Sequence, residues 1–88
     1  MARFHICQLI GGAFDVESPT LRATPSSEAG IALFFSAIGL SPTAIQIRHW
    51  AALARAGNGA PVDCIVWAAI PVTEERRPVG AARLRYEP

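Results

Sequence analysis

The side chains best suited to chemistry at neutral pH are His5, Cys7, His49 and Cys64. His5 and Cys7 stand two apart in a strand-like run, which puts both on one face. A soft metal site needs further ligands at paired spacings, and no C-x-x-C or H-x-x-x-H occurs here. A thiolate nucleophile needs a positioned base and an orienting third group, and the sequence marks neither. The expectation is two reduced, buried cysteines acting as small hydrophobes, with no metal and no cofactor. The acids offer no catalytic pair. Asp15 and Glu17 point outward on one predicted strand, and Glu74-Glu75 belongs to a charged turn. Asp63 precedes a wholly apolar run, where it caps the strand or pairs with an arginine. Gly11-Gly12 is too little for a phosphate loop, since neither G-x-x-x-x-G-K-[ST] nor G-x-G-x-x-G is present. The protein is therefore expected not to be an enzyme.

Arginine is the remaining handle. The eight basic residues are all Arg, set against seven acidic ones. The lysine-free, alanine-rich composition fits codon usage in a GC-rich genome. It also fits a surface that uses guanidinium groups for bidentate and stacking contacts. Arg48 and Arg55, seven residues apart, share the polar side of a predicted helix. Arg76, Arg77, Arg83 and Arg85 gather around the last predicted hairpin, with Glu74, Glu75 and Glu87 nearby. Arginine is enriched at protein interfaces and on nucleic-acid surfaces, so these six are the candidate partner-binding residues. A net charge of +1 weighs against phosphate neutralisation as the main task.

The elements that must position these side chains follow from periodicity. Arg3 to Ile10 alternates as a strand, with Phe4, Ile6, Gln8 and Ile10 on one face. Gly11-Gly12 predicts a two-residue hairpin turn. Ala13 to Glu17 returns, with Phe14 and Val16 inward, and Ser18-Pro19 ends it. Arg22 to Ser27 reads as a loop. Two helices follow, each opened by a hydroxyl and a proline, Thr24-Pro25 and Ser41-Pro42. In the first, Ile31, Phe34, Phe35 and Ile38 form a core stripe, while Leu33, Ala37 and Leu40 form a second stripe left over for an interface. The second helix runs from Pro42 to about Ala56, with Thr43, Ile47, Trp50, Leu53 and Ala54 on its apolar side. Gly57-Asn58-Gly59 stops it. Val62 to Val72 is apolar on both faces and predicts a central strand. Thr73 to Pro78 is a charged turn, and Gly80 to Tyr86 an edge strand with Ala82, Leu84 and Tyr86 inward and Arg83 and Arg85 outward. The fold class is α+β: a small antiparallel sheet, β-β-α-α-β-β along the chain, with two helices packed on one face.

The stretch from Leu33 to Ile45 resembles the turn region of phage-repressor-type helix-turn-helix proteins. Gly39, Leu40, Ser41 and Ile45 match that pattern, while Phe35 and Arg48 depart from it. The resemblance implies a DNA-binding transcriptional regulator using residues 32–56, with Thr43 and Gln46 reading base edges.

Length and composition favour a different reading. Eighty-eight residues allow one compact domain, 1–88, that buries ~60–65% of its unfolded surface. The apolar fraction is 51% and the charged fraction 17%, which excludes disorder and leaves apolar surface for a partner. No apolar run spans a bilayer and no signal peptide is apparent, so the expected location is the cytoplasm and no membrane partner is expected. The leading expectation is a non-enzymatic interaction protein that binds and modulates or inhibits a protein or ribonucleoprotein partner. A phage or mobile element encodes proteins of this kind, an anti-CRISPR inhibitor of a host machine being one example. Nucleic acid is the alternative partner. Self-association as a homodimer, through the first helix or the last strand, is expected from the apolar surplus.

Overall fold

The computed structural model describes residues 2–69, 72 and 75–88. Its elements are β1 (Arg3–Ile10), β2 (Val16–Ala23), α1 (Glu28–Ala37), α2 (Ala44–Gly57), β3 (Val62–Ala69) and β4 (Arg76–Glu87). The strands form one antiparallel sheet in the order β2-β1-β4-β3. Both helices cover the same face, because their buried side chains share one cluster with Phe4, Ile6, Cys64, Val66, Ala82 and Leu84. The other, open face carries no helix among the described residues, although Cys7, Leu9 and Ala81 are buried on it. This is the expected α+β class and element order. No helix among the described residues is long and apolar enough to cross a membrane.

The core is built on Phe35, which is fully buried and sits 5.6 Å from the Trp50 ring and 6.2 Å from Phe34. Ile31, Phe34 and Phe35 point into the cluster and Ile38 packs against it, as the helical period requires. Leu40 is buried rather than exposed. The chain leaves α1 through Gly39 at φ +80°, and the Leu40 N–H donates to the Phe35 carbonyl at 2.8 Å. The Gly39 N–H donates to Ser36 at 3.1 Å. These paired bonds close the helix end and swing Leu40 onto β4. There it fills the space over Gly80, where an added Cβ would lie 2.7 Å from a Leu40 methyl.

Several local expectations shift. The first hairpin loop spans Gly11 to Asp15 rather than two glycines, with Gly11 at φ +92° and Phe14 at φ +50°. Pro19 does not end β2 but lies within it, which an edge strand tolerates. Arg22 and Ala23 are strand, not loop, and Val16 is exposed. The helix caps are Ser27 and Thr43 instead of Thr24 and Ser41. Pro25 cannot open α1 because its carbonyl accepts the Phe4 N–H at 2.8 Å, tying that residue to β1. Thr43 wins because Gln46 completes a reciprocal capping box. Leu53, assigned to the apolar side of α2, is 45% exposed, and Ala51 takes its place in the core.

The largest correction concerns strand order. β4 is central and β3 is the edge, the reverse of the expectation. Apolar residues on both faces of β3 do not mean two covers, since Ile65 and Trp67 are substantially exposed on the open side. The signal for a central strand was Gly80-Ala81-Ala82, small residues that let helices and neighbouring strands approach closely. Arg76, Arg77 and Pro78 belong to β4 rather than to a turn, whereas Ile70, Pro71, Thr73 and Glu74 fall outside the described residues.

These contacts set two expectations for urea unfolding. Phe35→Ala should cost ~3–5 kcal/mol, whereas Leu33→Ala, at a 71% exposed position, should change stability by less than ~0.5 kcal/mol. Gly30→Ala should destabilise despite the better helix propensity of alanine. Its Cβ would sit 2.6 Å from the ring carbon Cβ of Pro25.

Candidate functional site

Strand alternation places His5, Cys7 and Leu9 of β1 on the open face, opposite in parity to the buried Phe4 and Ile6. Register then fixes their neighbours. Cys7 stands between Arg22 of β2 and Arg83 of β4, and Arg83 in turn opposes Asp63 of β3. His5 opposes Arg85, and Arg3 opposes Glu87. One row of side chains therefore runs across all four strands, with charge at three of its four positions.

Glu17 organises this cluster. Its carboxylate accepts from Arg85 Nη1 at 2.9 Å and from the Cys7 thiol at 3.1 Å, and faces Arg83 Nη1 at 3.8 Å. The Arg85 bond, helped by the thiol, holds the Glu17 carboxyl down at about 2 against an ordinary 4.5. Arg83 is spent on Asp63, donating from Nε at 2.7 Å and Nη2 at 3.1 Å. That fork lowers the Asp63 carboxyl below its usual range. Glu87 accepts from His5 Nε2 at 2.6 Å and meets Arg3 Nε at 3.4 Å, and both partners pull its carboxyl down, His5 foremost.

Between β1, β2 and β4 these residues leave a pocket of about 140 Å³, bordered by His5, Cys7, Glu17, Arg22, Thr24 and Arg85. Arg22 differs from its neighbours. Its Nε donates to the Ser18 carbonyl at 3.0 Å, and among the described residues it has no carboxylate within salt-bridge distance. Among the described residues Arg22, Arg83 and Arg85 thus have only Glu17 and Asp63 as carboxylate partners, leaving one positive charge beyond balance at a walled depression. That arrangement suits a carboxylate or another small anion.

The thiols are held protonated. Burial and then Glu17 push the Cys7 thiol up, because a thiolate there would face a carboxylate. Burial, with Asp63 adding, pushes Cys64 up to about 12. The four candidate ligands do not converge, since Cys64 lies under the helices while His5 and Cys7 lie on the open face. Among the described residues no three His, Cys, Asp or Glu side chains are placed to hold a metal ion.

The six arginines expected to act at a partner surface separate into three places. Arg83 and Arg85 are in the cluster, half-buried and paired rather than free outward charges. Arg76 and Arg77 occupy the part of β4 that runs past β1, where only β3 pairs with it. On α2, Arg55 is exposed and paired, its guanidinium 5.0 Å over the Phe4 ring and 3.6 Å from Glu28. Arg48 stays exposed on the same helix. Cys7, Glu17, Arg22 and Thr24 were missed as binding residues. Their convergence depends on the β1–β2 register, which a five-residue loop and a break in β2 decide. The two-helix segment is not laid out as its helix-turn-helix resemblance requires. Ile47 is 5% exposed and Ile45 74%, whereas the motif needs the first turned outward and the second inward. Thr43 and Gln46 are committed to each other in the capping box.

The fold and site together define a two-layer α+β protein with an open, arginine-bearing sheet face. No protein-family model, no curated protein and no solved structure matches the chain.

Acid should weaken the fold through this cluster. A carboxyl whose folded value is depressed stabilises fully above its unfolded value and loses that contribution as pH falls. For Glu17 the window runs from about 4.5 down to about 2, so Glu17→Gln should flatten the acid limb of a urea-midpoint profile. The limb should persist in part, because Asp63 is lowered in the same direction. The thiols give a second test. In native protein at mildly alkaline pH neither should react with iodoacetamide within the time that unfolded protein is fully alkylated, as mass spectrometry would show.

Proposed function

We propose that this protein acts without catalysis, binding a protein partner through the open sheet face, with an acidic side chain of the partner entering the pocket between Arg22 and Arg85. The observation that carries this reading is the surplus guanidinium charge at the pocket, together with Arg22 having no carboxylate of its own among the described residues. An aspartate or glutamate fits the chemistry, since a carboxylate accepts two parallel N–H donors from one arginine. Apolar Trp67, Val79 and Ile65 lie exposed along the neighbouring strands. Arginine and tryptophan are the residue types that dominate interface energetics when buried by a partner. Protonated thiols argue for occupancy rather than chemistry. Binding of this kind modulates or inhibits a partner by covering its surface, the mode a phage-encoded inhibitor of a host machine, such as an anti-CRISPR protein, would use. The cytoplasm, where both thiols stay reduced, is the location proposed with it.

The test is capture of partners from a lysate with and without nuclease, followed by affinity measurements on the recovered protein. Binding should survive nuclease. Arg22→Ala and Arg85→Ala should each cost ~2 kcal/mol, or ~30-fold in affinity, if the pocket is desolvated by the partner. Arg48→Ala should cost little. Binding that vanishes with nuclease, or tight salt-sensitive duplex binding lost in Gln46→Ala and kept in Arg85→Ala, would overturn the reading in favour of DNA.

A further inference from the structure

The two edges of the sheet are unlike. In β2, Pro19 interrupts the strand, and the buried Ser18 hydroxyl accepts the N–H groups of Thr20 and Leu21 at 3.3 and 3.1 Å. That local turn breaks the register between Cys7↔Arg22 and Leu9↔Glu17. Proline and irregularity both discourage another strand from adding to an edge. β3 has neither. Val62–Ala69 contains no proline, and Asp63 is its one charged residue. The bulge beside it puts the extra residue, Val79, on β4, because Val66 pairs with Gly80 and Trp67 with Pro78. The outer side of β3 therefore presents a regular line of peptide groups with no strand beyond it among the described residues. Ile65 and Trp67 stand 37% and 48% exposed on its open face.

We infer that β3 pairs antiparallel with β3 of a second copy of this chain, about a two-fold axis at Val66, joining two sheets into one of eight strands. Opposed residues in such a pair share a face, so the register is restricted to steps of two. Centring on Val66 sets Ile65 against the partner's Trp67, and by symmetry Trp67 against the partner's Ile65. Each of these exposed apolar side chains then gains an apolar neighbour, at spacings where aromatic and β-branched pairs stabilise sheets. Centring on Ile65 would instead set Trp67 against the partner's Asp63. The favoured register also places Asp63 opposite the partner's Ala69, which pairs within its own sheet with Arg76. Two strand spacings, about 10 Å between backbones, separate Asp63 from the partner's Arg76. An extended arginine side chain covers most of that distance, so each Asp63, already held by Arg83 of its own sheet, gains the partner's Arg76 as a second cation nearby. This self-complementarity of charge and apolar surface selects a second copy as the occupant. The homodimer expected from the sequence thus forms on β3. The last strand lies between β1 and β3, and only its first residues, past the end of β1, lack a second neighbour. Each pocket lies toward β2, away from the junction, so pairing leaves both open.

Sedimentation equilibrium at high micromolar concentration should give twice the 9.4 kDa chain mass. Trp67→Lys puts an ammonium into the apolar pair and should raise the dimer dissociation constant ~10-fold or more, with an unchanged circular dichroism spectrum. Directly opposed residues of an antiparallel pair have Cα atoms ~4.5–5.5 Å apart, within disulfide range. Ile65→Cys with Trp67→Cys should therefore cross-link to dimer on mild oxidation, and Ile65→Cys alone should not. A monomeric wild-type chain overturns the proposal. So does a dissociation constant unmoved by Trp67→Lys, or a double-cysteine variant that stays uncrosslinked.

Discussion

Pairing of the first strand with the last, Arg3↔Glu87 through Leu9↔Ala81, is the contact on which the rest of this structure depends. It joins the two ends of the chain and so pays the largest loop-closure entropy in the fold. Without it the molecule is two hairpins and a helix pair, and a lone two-stranded hairpin is marginal in water. With it, Phe4 and Ile6 of β1 come level with Tyr86 and Leu84 of β4, and α1 and α2 have one continuous surface to cover. Alanine and glycine in the middle of β4 permit this. A larger residue at Gly80 would meet Leu40, the side chain that anchors the end of α1.

The same pairing builds the open face. Side chains of opposite parity on β1 and β4 meet there as Cys7 beside Arg83 and His5 beside Arg85. Glu17 arrives from β2, Asp63 from β3, and each takes an arginine of the central strand. A helix cover on this side would have to desolvate those pairs, at a cost their attraction does not reliably return. The charge row thus fits a sheet whose second face carries no helix among the described residues.

Buried cysteines contribute to the architecture in two different ways. Cys64 is a plain core residue under the helices. Cys7 is a small hydrophobe whose thiol proton also satisfies a carboxylate oxygen, so one side chain closes the floor of the pocket and steadies Glu17. Its protonation follows from that placement, because a thiolate beside Glu17 would set two anions together.

The α+β class, the order of elements and the core stripe of α1 were legible because they rest on local periodicity. Ile31, Phe34, Phe35 and Ile38 must share a face wherever a helix forms, and Phe4 and Ile6 must share one in a strand. The stop at Gly57-Asn58-Gly59 was equally local, with Asn58 at φ +48° and Gly59 at φ +105°. Strand order was not legible. Which strand lies at the edge depends on long-range packing, and the apolar pattern of β3 fits an exposed open face as well as a buried one. The candidate site shared that fate. Arg83 and Arg85 were singled out by residue type, but Glu17, Arg22 and Cys7 joined them only through the β1–β2 and β1–β4 registers. Local sequence determines which way a side chain points along its own strand. Tertiary structure alone decides what stands beside it, because register is set by the whole buried face at once.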